Sequence, residues 1–166
     1  MVRILGVDPG TRMLGFGLIA CHGRASFALG QYQTVDAGLI RADASVSALT
    51  RIGSIHLEFD RLLTRLKPDY LFIESAFFGR NPQSALRLGE ARGCLIAAAA
   101  RTAVPLTELS PTAVKKNITG NGHASKSQVA HCVRSLLNIH SVPDFPFDVS
   151  DALAIALCGA LHLAMQ

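Results

Sequence analysis

The sequence has 166 residues, of which 49% are hydrophobic and 17% charged, with a formal net charge of +4. This composition excludes a disordered chain, and the length predicts one domain over residues 1–166. The start does not resemble a signal peptide, and the most apolar stretches, 93–100 and 152–161, are too short to span a bilayer. The four cysteines form no Cys-x-x-Cys pair and read as free thiols of a reducing compartment. We therefore expect a cytoplasmic domain with no membrane segment.

The basic residues are unevenly distributed. Residues 75–143 carry eight Lys or Arg and two acidic residues, a net charge of +6, whereas the remainder carries eight basic and ten acidic residues, a net charge of −2. A basic segment that faces carboxylates suits a polyanion held beside a metal site. An ordinary solvated helix surface would give the same asymmetry.

The first predicted strand ends in a carboxylate. The apolar run 2–7 predicts a buried strand that is followed by Asp8. Pro9-Gly10 predicts a turn into a second strand over 14–20, which returns beside the first. Nearby glycines are expected to let a phosphate or a metal ion approach Asp8. If no other carboxylate lies nearby, Asp8 can instead be the first residue of an Asp-Pro-Gly turn without a metal-binding role.

A second carboxylate is expected at the same end of the sheet. A third strand is predicted over 26–40, an amphipathic helix over 45–67 and a buried strand over 69–74 that ends at Glu74. Because a helix separates these strands, the last one is expected to pair in parallel with the first strand. That pairing would bring Glu74 to the edge that carries Asp8.

Aromatic and basic residues follow Glu74. Phe77, Phe78 and Arg80 lie in a predicted loop, where an exposed ring beside a catalytic carboxylate could stack on or insert between bases. A loop anchored to the core is the alternative. Asn81-Pro82 then predicts the start of a helix through Arg101, whose small residues permit close packing on the sheet or on a second copy of the chain.

Lysines mark the next two helices. A short strand over 105–109 precedes a helix that begins at Ser110-Pro111 and carries Lys115. The polar loop 120–126 leads into a helix over 126–138, with Ser125 and Gln128 in a capping-box pattern. Glycines, a helix N-terminus and Lys126 together favour phosphate binding, although the pattern is not a Walker P-loop.

The last predicted helix begins with two aspartates. Asp148 and Asp151 are three residues apart, so both can face one point. Helix capping and the helix dipole would explain the same pattern without a metal. However, the helix that follows is almost wholly apolar and therefore buried. Carboxylates that converge at its start would repel one another unless a divalent cation lies between them.

Five motifs together resemble the RuvC family of bacterial Holliday junction resolvases, in order and over nearly the whole chain. They are Gly6-Val-Asp8-Pro-Gly-Thr, Ile73-Glu74, Ser84-Ala-Leu-Arg-Leu-Gly-Glu-Ala-Arg-Gly93, Lys126-Ser-Gln-Val and Asp148-x-x-Asp151-Ala-Leu-Ala-Ile-Ala. The resemblance implies an α/β, RNase H-like fold with a five-stranded mixed sheet flanked by helices. It also implies a homodimer that nicks four-way junction DNA in pairs, and cooperation with the RuvA and RuvB branch-migration proteins.

The resemblance also implies roles for individual residues. Asp8, Glu74, Asp148 and Asp151 match the acidic ligands of two Mg²⁺ ions, for which Mn²⁺ can substitute. Some family members carry histidine at the position of Asp148. The aromatic residue that contacts the junction centre matches Phe77, and the lysines near the scissile phosphate match Lys115 and Lys126.

Other functions fit parts of the same pattern. Actin-like sugar kinases and chaperone ATPases share the first strand and hairpin, but they need two such lobes, and 166 residues supply one. A junction-binding module that has lost its chemistry, or a related nuclease on other branched or RNA-containing substrates, also remains consistent with the motifs.

Overall fold

A computed structural model describes residues 1–22, 32–75, 81–139 and 145–165. Its centre is a mixed five-stranded sheet with the strand order β3-β2-β1-β4-β5. The strands are β1 (Val2–Asp8), β2 (Met13–Cys21), β3 (Tyr32–Arg41), β4 (Tyr70–Glu74) and β5 (Leu106–Leu109). The helices are α1 (Ala48–Leu66), α2 (Pro82–Arg101), α3 (Pro111–Thr119), α4 (Lys126–Leu136) and α5 (Phe147–Ala164). The predicted five-stranded mixed sheet is therefore confirmed.

Strand pairing places the first two carboxylates at one edge. β1 pairs antiparallel with β2 and parallel with β4, with Val7 opposite Ile73. Asp8 and Glu74 are the next residues on the two strands, so both lie at the carboxyl edge of the sheet. This confirms the parallel pairing predicted from the strand–helix–strand order. The first residues of the predicted third strand, over 26–31, lie outside the described residues.

The helices cover the sheet on both faces. Leu5, Val7 and the other side chains of one face pack against α1 and α2. Ile4 and Phe72 belong to the other face and pack with residues of α3, α4 and α5. Since side chains alternate along a strand, Asp8 and Glu74 point to the same side as Ile4 and Phe72. The candidate site therefore lies on the side of α3, α4 and α5.

The predicted helix starts are confirmed at three positions. Asn81 and Ser110 cap α2 and α3 through their side chains, each before a proline in the first turn. Ser125 and Gln128 form the reciprocal capping box of α4. At α5 the capping interpretation of Asp148 is wrong, because Pro146 is the N-cap and no side chain bonds there. Asp148 is thus free of a capping role.

Helix α5 is longer than the apolar stretch seen in the sequence. Its 18 residues are long and apolar enough to cross a membrane by length and composition alone. The apolar stretch 152–161 therefore underestimates the length of the helix, which runs from Phe147 to Ala164. Leu153, Ala156 and Leu157 are completely buried on the sheet, and the core helix of a soluble protein passes the same test.

Glycines let α5 lie directly on the first two strands. A Cβ atom at Gly6 would come within 2.1 Å of the Ala152 carbonyl oxygen, and one at Gly15 within 2.2 Å of the Asp148 carbonyl oxygen. These glycines were expected to let a phosphate or a metal ion approach. In the structure they accommodate the α5 backbone instead, which brings the start of α5 next to Asp8.

Candidate metal and nucleic-acid site

Carboxylates from three elements meet at the carboxyl edge of the sheet. Asp8 ends β1, Glu74 ends β4, and Asp148 and Asp151 lie in the first turns of α5. Asp8, Asp148 and Asp151 each offer an oxygen, and these oxygens lie within 4.8 Å of one another. Asp8, Glu74 and Asp151 also line one small cavity of about 180 Å³. Asp8 and Asp151 are therefore shared between the two groupings.

The pKa of Asp8 is raised by burial and by the neighbouring carboxylates. Burial raises the pKa of its carboxyl group from 3.8 to about 7, and the negative charges of Glu74, Asp151 and Asp148 add to the rise. Lys126 opposes part of the increase. The pKa of Glu74 is also raised, first by burial and then by the charge of Asp151. Near neutral pH the cluster holds negative charge that a cation would stabilise.

Two lysines line the same cavity. Lys126, the first residue of α4, places its Nζ 2.8 Å from Asp151 Oδ2 and 3.9 Å from Asp148 Oδ1. Burial lowers its pKa, but the hydrogen bond to Asp151 and the surrounding negative charges outweigh burial, so the net shift is upward. Lys115 of α3 lines the cavity with it. Lys126 is therefore held against the carboxylates, and both lysines border the cavity that an anion would enter.

The donor set fits a hard divalent cation. All the candidate ligands are carboxylate oxygens, which Mg²⁺ prefers over nitrogen and sulfur. Burial of several like charges at one place is unfavourable unless a cation neutralises them. Within the described part of the chain, this carboxylate cluster could therefore hold a metal ion.

The structure brings six of the nine predicted site residues together. They are Asp8, Glu74, Asp148, Asp151, Lys115 and Lys126. The other three, Phe77, Phe78 and Arg80, lie outside the described residues. Their predicted contact with nucleic acid stays a prediction.

Sequence reasoning missed the residue that supports Glu74. Arg92 of α2 is 6% exposed, donates a hydrogen bond to the Glu74 carbonyl oxygen, and pairs with Glu108 Oε1 of β5 at 2.7 Å. A charged residue buried to this degree needs such partners. The signal in the sequence was an arginine at a spacing that places it on the buried side of a helix, between Ala91 and Leu95.

Comparisons with known proteins identify the family of the chain. The family model described as crossover junction endodeoxyribonuclease RuvC matches residues 4–159. The chain belongs to the RuvC family. The RuvC of Chlorobium phaeovibrioides is 45% identical over 159 residues, which cover 96% of this chain and 81% of that protein. The RuvC of Thermosipho melanesiensis is 41% identical over 161 residues, or 97% and 98% of the two chains.

Solved structures support the same assignment. Thermus thermophilus RuvC in complex with a Holliday junction substrate matches this RuvC-family chain with a TM-score of 0.88 at 32% identity, covering 99% of this chain and 96% of that one. The yeast mitochondrial Holliday junction resolvase Ydc2 matches with a TM-score of 0.64 at 12% identity, which shows a common fold. The predicted RNase H-like fold is thereby confirmed.

Proposed function

We propose that this chain is a crossover junction endodeoxyribonuclease that resolves four-way DNA junctions by metal-dependent hydrolysis of phosphodiester bonds. Its biological role would be in recombination and DNA repair. The observation that carries the proposal is the convergence of Asp8, Glu74, Asp148 and Asp151 beside two lysines at one sheet edge. Membership of the RuvC family supports the choice of substrate.

The carboxylates are proposed as ligands of two Mg²⁺ ions, for which Mn²⁺ can substitute. Asp8 would contribute to both ion positions, with Glu74 on one side and the Asp148/Asp151 pair on the other. When bound, such a pair of ions activates a water molecule and neutralises the charge that develops on the phosphate and the leaving oxygen. Only the unprotonated form of Asp8 can be a metal ligand. Because its pKa is raised to about 7, a cation that binds below this pH must first displace a proton from Asp8.

The two lysines are proposed to hold the scissile phosphate. Lys126 already lies 2.8 Å from Asp151, so its ammonium group is at the rim of the site with its charge directed inwards. An anionic phosphate that enters the cavity would meet Lys126 on α4 and Lys115 on α3. Charge-assisted hydrogen bonds from these groups orient the phosphate and stabilise the additional negative charge of the transition state.

A homodimer is proposed to supply two such sites to one junction. A row of exposed small or apolar residues follows one side of α2, comprising Leu86, Gly89, Gly93, Ile96 and Ala100. A Cβ atom at either glycine would meet nothing within 4 Å. Small residues on an exposed helix face permit the close approach of a second helix, and we propose that the partner is α2 of a second copy of the chain.

The dimer is tested with Gly93→Leu. The substitution has room within one chain and should preserve folding, but it would separate two α2 helices. We expect a monomer by analytical ultracentrifugation, with near-native circular dichroism and loss of paired nicking. Gly53→Leu, on the exposed side of α1, is the matched control because its Cβ also meets nothing within 4 Å. An unchanged dimer in Gly93→Leu would refute this interface.

The activity is tested on a synthetic four-way junction labelled on each strand in turn. Cleavage is compared with Mg²⁺, with Mn²⁺, and with chelator, while binding is measured in parallel. We expect paired symmetric nicks that require a divalent metal. Asp8→Asn should abolish cleavage and retain binding, whereas Asp36→Asn, which removes a carboxylate paired with Arg65 far from the site, should cleave normally. Metal-dependent cleavage that persists in Asp8→Asn would refute its role.

Two other functions would give different results in the same assay. Tight junction binding without cleavage in any divalent metal would indicate a binding module. Cleavage of RNA–DNA hybrids in place of junctions would keep the fold and the ligands but change the substrate. From family membership we further infer a cytoplasmic location. We also infer cooperation with RuvA and RuvB, which copurification with those proteins would test.

A further inference from the structure

A second positively charged feature lies at the same edge of the sheet, on the other side. A cleft of about 460 Å³ is lined by residues of the β1–β2 turn, the first turn of α1 and the start of α2. Three of them are arginines, and we call it the arginine cleft. Its arginines are Arg12, Arg51 and Arg87, and Asn81, Gln83 and Ser84 at the start of α2 line it with them.

The cleft has an excess of positive charge. Among the described residues that line it, none is acidic. Arg51 donates to the carbonyl oxygens of Ala44 and Val46, at 3.3 and 2.9 Å. These acceptors are neutral, so they do not offset its positive charge. Arg87 pairs with Glu90 one turn further along α2 at 2.9 Å. Counting Glu90, the cleft carries a net charge of about +2.

Two of these arginines have unused donors. The side chain of Arg12 is exposed and makes no hydrogen bond or ion pair within the described part of the chain. The Nε atom of Arg51 is buried and finds no acceptor among the described residues. Because this atom is buried, Arg12 offers the accessible donors of the cleft. The N-terminus of α2 contributes little, since Asn81 Oδ1 already accepts from the backbone of Gln83 and Ser84.

The cleft is close to the carboxylates along the chain. Arg12 follows Asp8 by four residues, which span at most about 14 Å even when fully extended. The α1–α2 side of the sheet carries the cleft, and the α3–α5 side carries the carboxylates. A DNA strand that crosses the carboxyl edge has one phosphate for each 3.4 Å or so of helix axis. It could therefore contact both features within a few nucleotides.

We propose that the arginine cleft binds backbone phosphates of the DNA on the strand segment that adjoins the phosphodiester held at the carboxylates. This inference rests on the proposed function. Guanidinium groups bind phosphate oxygens through two parallel hydrogen bonds, which suits arginine better than lysine. Arg12 and Arg87 lie on separate elements and match a row of phosphates rather than one small anion, and Arg51 adds positive charge to the cleft. The contacts position the DNA and carry no sequence preference.

The test uses Arg12→Gln, Arg87→Gln and the double variant. Binding to a four-way junction is measured in chelator, where no cleavage occurs, over a range of salt concentrations. We expect each substitution to weaken binding about tenfold, the size of one charge-assisted hydrogen bond. The slope of log K against log salt should fall by about 1 in each single variant and by about 2 in the double variant.

Arg61→Gln is the matched control. Arg61 also pairs with a glutamate three residues away, Glu58, but it lies near the other end of α1. Arg61→Gln should leave the affinity for the junction, and the slope of log K against log salt, unchanged. Arg12→Gln removes no contact within the described chain, so its result does not depend on a change in folding.

The outcomes separate this inference from the proposed function. If the wild-type chain cleaves junctions and the cleft variants show the same salt dependence of binding as the wild type, the cleft inference is overturned and the proposed function stands. If the wild-type chain binds DNA without cleaving it and the slopes fall as expected, the proposed function fails and the cleft inference holds. If the variants lose binding of inorganic phosphate alone, with DNA binding unchanged, the cleft is a small-anion site and the inference is refuted.

Discussion

Replacing Asp8 with asparagine should make the metal-free protein more stable. The carboxyl group of Asp8 has a pKa of about 7 because burial and the neighbouring carboxylates disfavour its charged form. In the unfolded chain the pKa returns to its ordinary value near 3.8. The charged form is therefore unfavourable in the folded chain at pH 8. Asparagine has nearly the same shape and carries no charge.

The sign and size of the effect follow from proton linkage. Between about pH 4 and 7 the folded chain holds a proton on Asp8 that the unfolded chain has lost, so the contribution of Asp8 to wild-type stability falls as the pH rises through this window. A pKa of about 7 in place of 3.8 corresponds to about 4 kcal/mol. We expect about half of this value, because Asp8 is only partly buried and keeps some contact with water. For a chain of this length that is an increase in Tm of about 4–8 °C.

Thermal unfolding by circular dichroism, in chelator at pH 4, 6 and 8, measures the difference. The advantage of Asp8→Asn should be absent at pH 4 and largest at pH 8. Added Mg²⁺ should raise the Tm of the wild-type chain and have little effect on the variant. Asp36→Asn is the control, since its exposed ion pair with Arg65 contributes at most about 1 kcal/mol. A variant that is no more stable than the wild type at pH 8 would refute the reasoning.

Three further predictions concern the same site. Gly15→Ala should destabilise the fold by about 1–3 kcal/mol and weaken Mg²⁺ binding, because its Cβ would collide with the Asp148 carbonyl oxygen; chemical denaturation and calorimetry measure both. Arg92→Ala should lower kcat and destabilise the fold by about 1–3 kcal/mol, since it leaves the Glu74 carbonyl without its donor; junction cleavage kinetics measure the first effect. The apparent Mg²⁺ affinity should rise up to about tenfold per pH unit below pH 7, where the cation must displace the Asp8 proton, and level off above it.

Each of these predictions has a control within the chain. Gly53→Ala, at an exposed position of α1 with open space, should stabilise the fold by about 0.5–1 kcal/mol. Glu108→Gln removes the other partner of Arg92 and keeps the bond to Glu74, so cleavage should change less than in Arg92→Ala. Metal binding that is independent of pH in the wild-type chain would contradict the assignment of Asp8 as a ligand.

The sequence alone determined the sheet, the parallel pairing of β1 and β4, and the meeting of Asp8 with Glu74. These follow from local patterns: apolar runs that end in a carboxylate, and one amphipathic helix between two strands. The caps of α2, α3 and α4 were also predicted, because capping uses residues that are adjacent in the chain. The family motifs extended this local information to the whole site.

Only the tertiary structure decided how the start of α5 reaches the sheet. The position of Asp148 beside β2 depends on contacts between residues more than 100 positions apart, such as Gly15 and Asp148. The role of Arg92 and the arginine cleft have the same origin, since each joins elements that are distant in sequence. Local patterns specify strands and helices, whereas distances between side chains on different elements are set by packing. The structure therefore adds the geometry by which these carboxylates could share a cation.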